Sequence, residues 1–191
     1  MFIKIKLVII AYRDIRYFQH MNKVKVGMKP QDVVVFLKII TYGTSPWKQI
    51  PLAEALKMSQ SEISQSIARS RYAGLLDIKG KQVMRNTFMD FLEFGLSVVF
   101  PAKPGPVVRG VPTAHSAPPL SSQIITNEVF VWPYSKGYSR GRSIEPLYDT
   151  VPQAALGDEE LYSLLALCDA LRVGKKRENQ IALKELRRRI C

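Results

Sequence analysis

The sequence predicts an α+β protein that is mainly α-helical, with an N-terminal helical unit and a smaller C-terminal part made of a short sheet and a helical hairpin. Three observations predict this class. Apolar residues recur at helical spacing in three stretches between residues 30 and 74. Residues 101–120 contain six of the 12 prolines, which excludes a regular helix there. Two helical patterns separated by Gly174 close the chain.

The charge of the chain favours a polyanionic partner. Its 191 residues carry a formal net charge of +12, and 47% of them are hydrophobic, which is a globular composition. Residues 1–100 hold 15 Lys and Arg against 7 Asp and Glu, so most of the excess lies in the N-terminal half. Nucleic acid and an anionic membrane surface are both compatible with this charge.

The sequence lacks the motifs of metal, redox and nucleotide sites and of a membrane span. Cys168 and Cys191 do not have the spacing of a metal or redox pair, and there is no Walker loop or dinucleotide-binding glycine fingerprint. We therefore expect no metal, no cofactor and no catalytic residue. No apolar run approaches the roughly 20 residues that span a bilayer. We expect a cytoplasmic protein without a membrane partner.

Composition divides the chain into four predicted regions. Residues 1–20 read as a strand or as a non-native extension that precedes Met21. Residues 21–100 form the helical unit, residues 101–120 a proline-rich connector, and residues 121–191 the C-terminal α+β part.

The N-terminal helices have recognisable ends. Pro30 starts the first helix, with Asp32 in its first turn, and Pro51 lies early in the second. Ser59 and Glu62 predict a capping box for the third helix, in which the serine accepts from the Glu62 amide and the carboxylate reaches back to the Ser59 amide.

Less regular elements follow the third helix. The segment "LLDIKGKQVM" predicts two short strands joined by a turn at Gly80. Residues 86–96 predict a fourth helix that ends near Gly95.

The C-terminal part combines a strand with two helices. A strand is predicted around residues 128–132, ending at Pro133. The first helix begins at an Asp158 cap, and its apolar face suits either core packing or a dimer interface. The last helix is basic, and its charges could either contact DNA or form a solvated face.

Residues 50–82, through the string "PLAEALKMSQSEISQSIARSRYAGLL", resemble the winged helix-turn-helix of MarR-like transcriptional regulators. Ala53, Met58, Ile63 and Ile67 occupy the positions that pack the second and third helices together. Lys57 departs from the pattern, because it stands where the family usually has a turn glycine, so the turn must adopt its left-handed conformation without that residue or take another one. The wing is also shorter than is usual in the group.

The resemblance implies that the third helix reads double-stranded DNA. With Ile63 and Ile67 buried, Ser61, Ser64 and Gln65 point outward, where hydroxyl and amide groups can reach base edges in the major groove. The expected phosphate contacts are Lys48, Arg69, Arg71, Lys79 and Lys81.

The C-terminal arginines offer a separate hypothesis. Arg109, Arg140 and Arg142 lie in glycine-containing segments that we predict to be turns, where they could bind an anion. His115 next to Ser116 has no acidic residue placed to orient it, which argues against a catalytic pair.

We therefore expect a sequence-specific DNA-binding regulator that is not an enzyme, acts as a homodimer and represses transcription. One alternative is an antitoxin-like autoregulator that binds a cognate protein encoded nearby. A second is a nucleic-acid-associated accessory protein or enzyme with a cleft lined by Arg109, His115, Arg140 and Arg142.

Overall fold

A computed structural model describes residues 27–191. The strand or extension predicted for residues 1–20, and the alternative start at Met21, lie outside these described residues.

Helix α1, Pro30–Thr41, is buried on all sides over much of its length. Val33 through Leu37 have no exposed surface. A helix that is apolar all round belongs in a core, and α1 contacts helices from both halves of the chain. Its start after Lys29, with Pro30 in the first turn, agrees with the sequence prediction.

Helices α2, Gln49–Leu56, and α3, Gln60–Tyr72, pack against α1 and against each other. The contact surface includes Ala53, Met58 and Ile63, all of which are buried. The three predicted N-terminal helices are therefore confirmed, with bounds close to those expected.

The segment after α3 differs from the predicted hairpin. One isolated antiparallel bridge joins Leu76 to Val83, in place of two strands. The turn between them is closed by Asp77, whose carboxylate accepts from the backbone N–H groups of Lys81 and Gln82 at 2.6 and 2.8 Å. A side chain that caps backbone donors in this way makes a compact turn that needs no ladder.

The fourth helical stretch is longer than predicted. It comprises α4, Arg85–Asp90, a π-helical turn, Phe91–Gly95, and α5, Leu96–Val99. The helix therefore passes through Gly95, where we expected it to end. A Cβ built on Gly95 would lie 2.9 Å from a ring carbon of Phe91, so the glycine serves side-chain packing inside the helix.

The proline-rich stretch is part of the folded core, which corrects its prediction as a connector. It contains strand β1, Val107–Pro112, and short 3-10 turns at Ala114–Ser116 and, partly beyond it, at Leu120–Ser122. Residues 110–115 are buried. Prolines excluded a long helix there, as predicted, but they are compatible with a strand end and short turns.

Three strands close into a small barrel. Strand β1 pairs antiparallel with β2, Phe130–Pro133, and with β3, Ser139–Ser143, while β2 and β3 pair in parallel. A Cβ on Gly137 would lie 2.2 Å from Gly110 backbone atoms, so this closure requires glycine. The predicted strand ending at Pro133 is confirmed.

The helical hairpin that closes the chain is present. A short helix α6, Val151–Ala155, precedes α7, Glu159–Val173, and α8, Lys176–Ile190. The Asp158 carboxylate caps α7 by accepting from the Leu161 N–H at 3.0 Å. The apolar face of α7 is buried within this chain, so it packs the core, and the dimer-interface alternative for that face is corrected.

A buried polar cluster joins α7 to the barrel. The Asp169 carboxylate accepts from the Thr113 hydroxyl at 2.8 Å, from the Trp132 indole, and from Arg172 at 2.6 Å. Arg172 also donates to the carbonyls of Phe100 and Glu145. This cluster satisfies polar groups that would otherwise be costly to bury.

The described residues form an α+β structure that is mainly helical, with one hydrophobic core shared by both halves. Within residues 27–191, no helix combines the length and apolar character needed to cross a membrane.

Candidate nucleic-acid interface

The turn between α2 and α3 has a left-handed residue at its centre. Lys57 adopts φ 56° and ψ 35° and ends α2. A lysine pays a steric cost in this region that glycine avoids. The sequence left two conformations open for this turn, and the structure shows the left-handed one.

The start of α3 is capped on one side only. The Ser59 hydroxyl accepts from the Glu62 N–H at 3.1 Å, as predicted. The Glu62 carboxylate accepts instead from Gln31 Nε2 at 2.8 Å and from Arg69 at 3.1 Å. The reciprocal half of the predicted capping box is therefore replaced by contacts between helices.

Helix α3 presents a small polar face to solvent. Ser61, Ser64 and Gln65 are exposed, while Ile63 and Ile67 are buried. Gln65 Nε2 donates to the Ser61 hydroxyl at 3.1 Å, one helical turn away. The predicted orientation of the helix is confirmed, and the exposed groups are neutral donors and acceptors.

Arg69 lies in the interior, which corrects its assignment as a phosphate contact. Its side chain is 3% exposed. The guanidinium binds Asp32 through two hydrogen bonds, from Nε at 3.0 Å and from Nη2 at 2.6 Å. Asp32 has no exposed side-chain surface, so this pair joins α1 to α3 beneath the polar face.

The same contacts shift two pKa values. The hydrogen bond from Gln31, reinforced by Arg69, lowers the pKa of Glu62 below its ordinary value. The hydrogen bonds to Asp32 raise the pKa of Arg69. Both shifts favour the charged forms, so Glu62 and Arg69 remain ionised at neutral pH and their contacts hold α3 in one orientation.

The other predicted phosphate contacts lie around α3. Lys48 precedes α2 and is exposed, as is Lys79 in the turn after α3. Lys81 Nζ lies 4.6 Å from the centre of the Trp47 ring, while Trp47 Nε1 donates to the Lys81 carbonyl at 2.9 Å. This contact fixes the turn against the start of α2.

Arg71 is half-buried and contributes to the placement of the same turn. A Cβ built on Gly80 would lie 2.9 Å from Arg71 Cδ and 3.3 Å from an Ile67 methyl. The turn therefore packs against the C-terminal half of α3. Its two lysines are held beside that helix by Trp47, Arg71 and the Asp77 cap.

The C-terminal arginines occupy strands, which corrects the predicted turns. Arg109 lies on β1 directly opposite Arg140 on β3. Both residues are exposed. Arg142 is also on β3 and pairs with Glu128 at 3.0 Å. The two Arg-Gly dipeptides of the sequence are thus neighbours in one ladder.

His115 is separated from these arginines by its burial. It is 4% exposed, and its Nε2 lies 2.8 Å from the Glu128 carbonyl oxygen. Its Nδ1 lies 3.6 Å from a Glu178 carboxylate oxygen. The Ser116 hydroxyl accepts from the Phe130 N–H. His115 and Ser116 have structural partners, so the arginines and His115 do not line a common cleft.

The arginine run near the end of the basic last helix is paired. Arg187 binds Glu93, Arg188 binds Glu185 at 2.7 Å, and Arg189 binds Glu160 at 2.7 Å. These contacts give the arginine run a structural role. They favour the solvated-face interpretation over a grip on DNA.

Sequence reasoning missed Asp32 and Gln31 as the residues that position α3. Asp32 fitted the rule for an acidic first turn, and its carboxylate also accepts a hydrogen bond from the Lys29 N–H at 2.9 Å. No local signal connects it to Arg69, which lies 37 residues away.

Comparison of the chain with family models, with curated proteins and with solved structures finds no match.

Proposed function

We propose that the protein is a sequence-specific DNA-binding transcriptional regulator that uses α3 as its recognition helix. The observation that carries this proposal is the exposed neutral face of Ser61, Ser64 and Gln65 on a helix whose opposite side is fixed by buried contacts. Serine and glutamine can bond base edges, and glutamine can pair with adenine through two hydrogen bonds.

The surrounding charges support the same orientation. Lys48 precedes α2, and Lys79 and Lys81 lie on the turn packed against α3. In the proposed complex, α3 enters the major groove while these lysines contact phosphates on either side. The Arg69–Asp32 pair keeps the helix rigid without touching the DNA.

We further propose that the regulator binds as a homodimer and represses transcription by occupying its operator. Helix-turn-helix proteins read symmetric half-sites as dimers. Repression follows from occupancy alone, which needs no further activity from the chain.

Selection of bound duplexes from random DNA tests this function directly. We expect enrichment of a defined sequence with two symmetric half-sites. Recovery of unrelated sequences with equal affinity would contradict sequence-specific reading, and a single half-site would contradict the dimer.

Gln65→Ala tests the reading residue. Loss of a base contact should reduce discrimination between selected and random duplex by about 1–3 kcal/mol. Gln180→Ala, which changes an exposed glutamine on α8, is the matched control and should leave discrimination unchanged. An equal loss on both duplexes would remove Gln65 from the base edges.

Lys48→Ala and Lys79→Ala test the phosphate contacts. Each should reduce the slope of log affinity against log salt by about one unit and weaken all duplexes alike. Lys184→Ala, at an exposed position on α8, removes the same charge away from the proposed interface and should leave the slope unchanged.

A further inference from the structure

The exposed face of the β1–β3 ladder carries two arginines in direct opposition. Arg109 and Arg140 are register partners in the antiparallel pair. Side chains at such positions lie on the same face with Cβ atoms about 4.5–5.5 Å apart, and like charges there destabilise the sheet. The arrangement is therefore unfavourable unless an anion occupies it.

Nearby carboxylates do not neutralise this pair. The ion pair on the same face joins Arg142, two residues beyond Arg140, to Glu128. Within residues 27–191, neither Arg109 nor Arg140 has a carboxylate at ion-pair distance. Both residues are exposed, so their guanidinium groups are accessible to a ligand.

The backbone beneath the pair is closely packed. Gly110 and Gly141 each follow one of the arginines and are buried. A Cβ on Gly110 would lie 2.0 Å from the Trp132 carbonyl oxygen, and one on Gly141 would lie 2.4 Å from that of Val129. These contacts allow all three strands to approach closely, so the two arginines extend from a rigid platform.

An exposed aromatic residue precedes strand β3. Tyr138 lies two residues before Arg140 and is 67% exposed. Burial, and after it the proximity of Tyr138, raises the pKa of Tyr162. This exposure leaves the Tyr138 ring available at the surface.

We propose that Arg109 and Arg140 bind the phosphate of a nucleotide unit, with the base stacked on Tyr138. Two forked guanidinium groups suit the several oxygens of a phosphate. An exposed aromatic ring two residues before Arg140 suits a base, and basic and aromatic side chains together are typical of surfaces that bind single-stranded nucleic acid. This site is separate from α3 and does not depend on duplex reading.

Two ligands offer this chemistry: a free nucleotide, and one nucleotide within a single strand. Binding of adenosine monophosphate and of a short single-stranded oligothymidylate to the full chain distinguishes them. An oligothymidylate, which can contact the face through more than one nucleotide, should bind more tightly than the mononucleotide, whereas equal affinities would identify a free nucleotide.

The double variant Arg109→Gln, Arg140→Gln tests the site. We expect at least about a tenfold loss of affinity for the tighter of the two probes, because charge-assisted phosphate bonds are lost. Lys176→Gln with Arg177→Gln removes two exposed charges on α8 and is the charge-matched control. An equal loss in the control, or no loss in the double variant, would overturn the proposal.

Melting temperatures show whether a loss of affinity in the double variant comes from misfolding. Removing two like charges should leave the melting temperature of the double variant unchanged or higher. Inorganic phosphate should raise the melting temperature of the original chain more than that of the variant, because a ligand stabilises the state that binds it. Equal shifts would overturn the phosphate site.

Tyr138→Ala separates base stacking from charge. It should weaken oligothymidylate about fivefold or more while leaving stabilisation by inorganic phosphate intact. An unchanged affinity for oligothymidylate would overturn the stacking part of the proposal. Failure of these tests leaves the reading of duplex by α3 unaffected, since that is measured with Gln65→Ala.

Discussion

The underside of α3 and the face of the β1–β3 ladder use arginine in opposite ways. Arg69 is 3% exposed and binds a buried aspartate, whereas Arg109 and Arg140 are exposed and face each other. Arg172 in α7 resembles Arg69, because it also pairs with a buried carboxylate.

The difference shows that a basic sequence does not locate its own binding surface. Arg69 follows the polar face of α3 in the sequence, yet its guanidinium holds two helices together. Arg109 and Arg140 are separated along the chain and become one patch only through strand pairing.

The largest effect is expected from Asp169→Ala. It removes the acceptor shared by Thr113, Trp132 and Arg172, leaving a buried guanidinium without its partner. Loss of one member of a buried pair costs about 3–5 kcal/mol, and we expect the upper end in the free energy of unfolding measured with urea. Asp149→Ala, at an exposed position, is the control and should change little.

Arg69→Ala should lower the free energy of unfolding by about 3 kcal/mol, since Asp32 stays buried without its counter-charge. The loss is smaller than for Asp169→Ala because Asp32 keeps its backbone hydrogen bond from Lys29. Arg177→Ala, exposed on α8, provides the control.

The same variant distinguishes the two possible roles of Arg69. An unchanged free energy of unfolding together with a lower salt slope for DNA binding would return Arg69 to the phosphate contacts. Arg69 would then act at the surface, as Arg109 and Arg140 do.

The sequence predicted the elements whose signals are local. The starts of α1, α3 and α7, the end of β2 and the outward direction of Ser61, Ser64 and Gln65 all follow from periodicity, capping or proline. Each of these signals acts within a few residues.

The features that the sequence could not predict depend on distant contacts. Asp32 and Arg69, which form the buried pair, are 37 positions apart in the sequence, and Arg109 and Arg140 are 31 positions apart. No periodicity in the sequence predicts such pairs. The barrel also depends on contacts between distant residues, and the sequence did not predict it. Prolines and glycines are typical of turns, but they also permit the close strand crossing at Gly110 and Gly137.

Glu62→Gln should cost about 1 kcal/mol at neutral pH, the difference between a charged and a neutral acceptor. Because folding lowers the pKa of Glu62 below its ordinary 4.5, its charge stabilises the fold fully above that value. This contribution is lost as the pH falls through the lowered pKa.

The stability gap between the original chain and Glu62→Gln should therefore narrow on acidification, measured by urea unfolding at several pH values. Glu54→Gln, exposed on α2, should show almost no gap at any pH. A gap that widens in acid would contradict the role of Glu62 beneath α3.

The smallest effect concerns Lys57, which shapes the turn that sets α3 against α2. Its left-handed conformation costs an ordinary residue about 1–2 kcal/mol, and glycine avoids most of that cost while losing about 0.5–1 kcal/mol in unfolded-chain entropy. Lys57→Gly should therefore raise the free energy of unfolding by about 0.5 kcal/mol. Lys57→Ala removes the same charge but keeps the Cβ, so it should give no gain. Equal values for the two variants would mean that the turn has no left-handed strain, and that α3 is positioned by the Arg69–Asp32 pair without help from the turn.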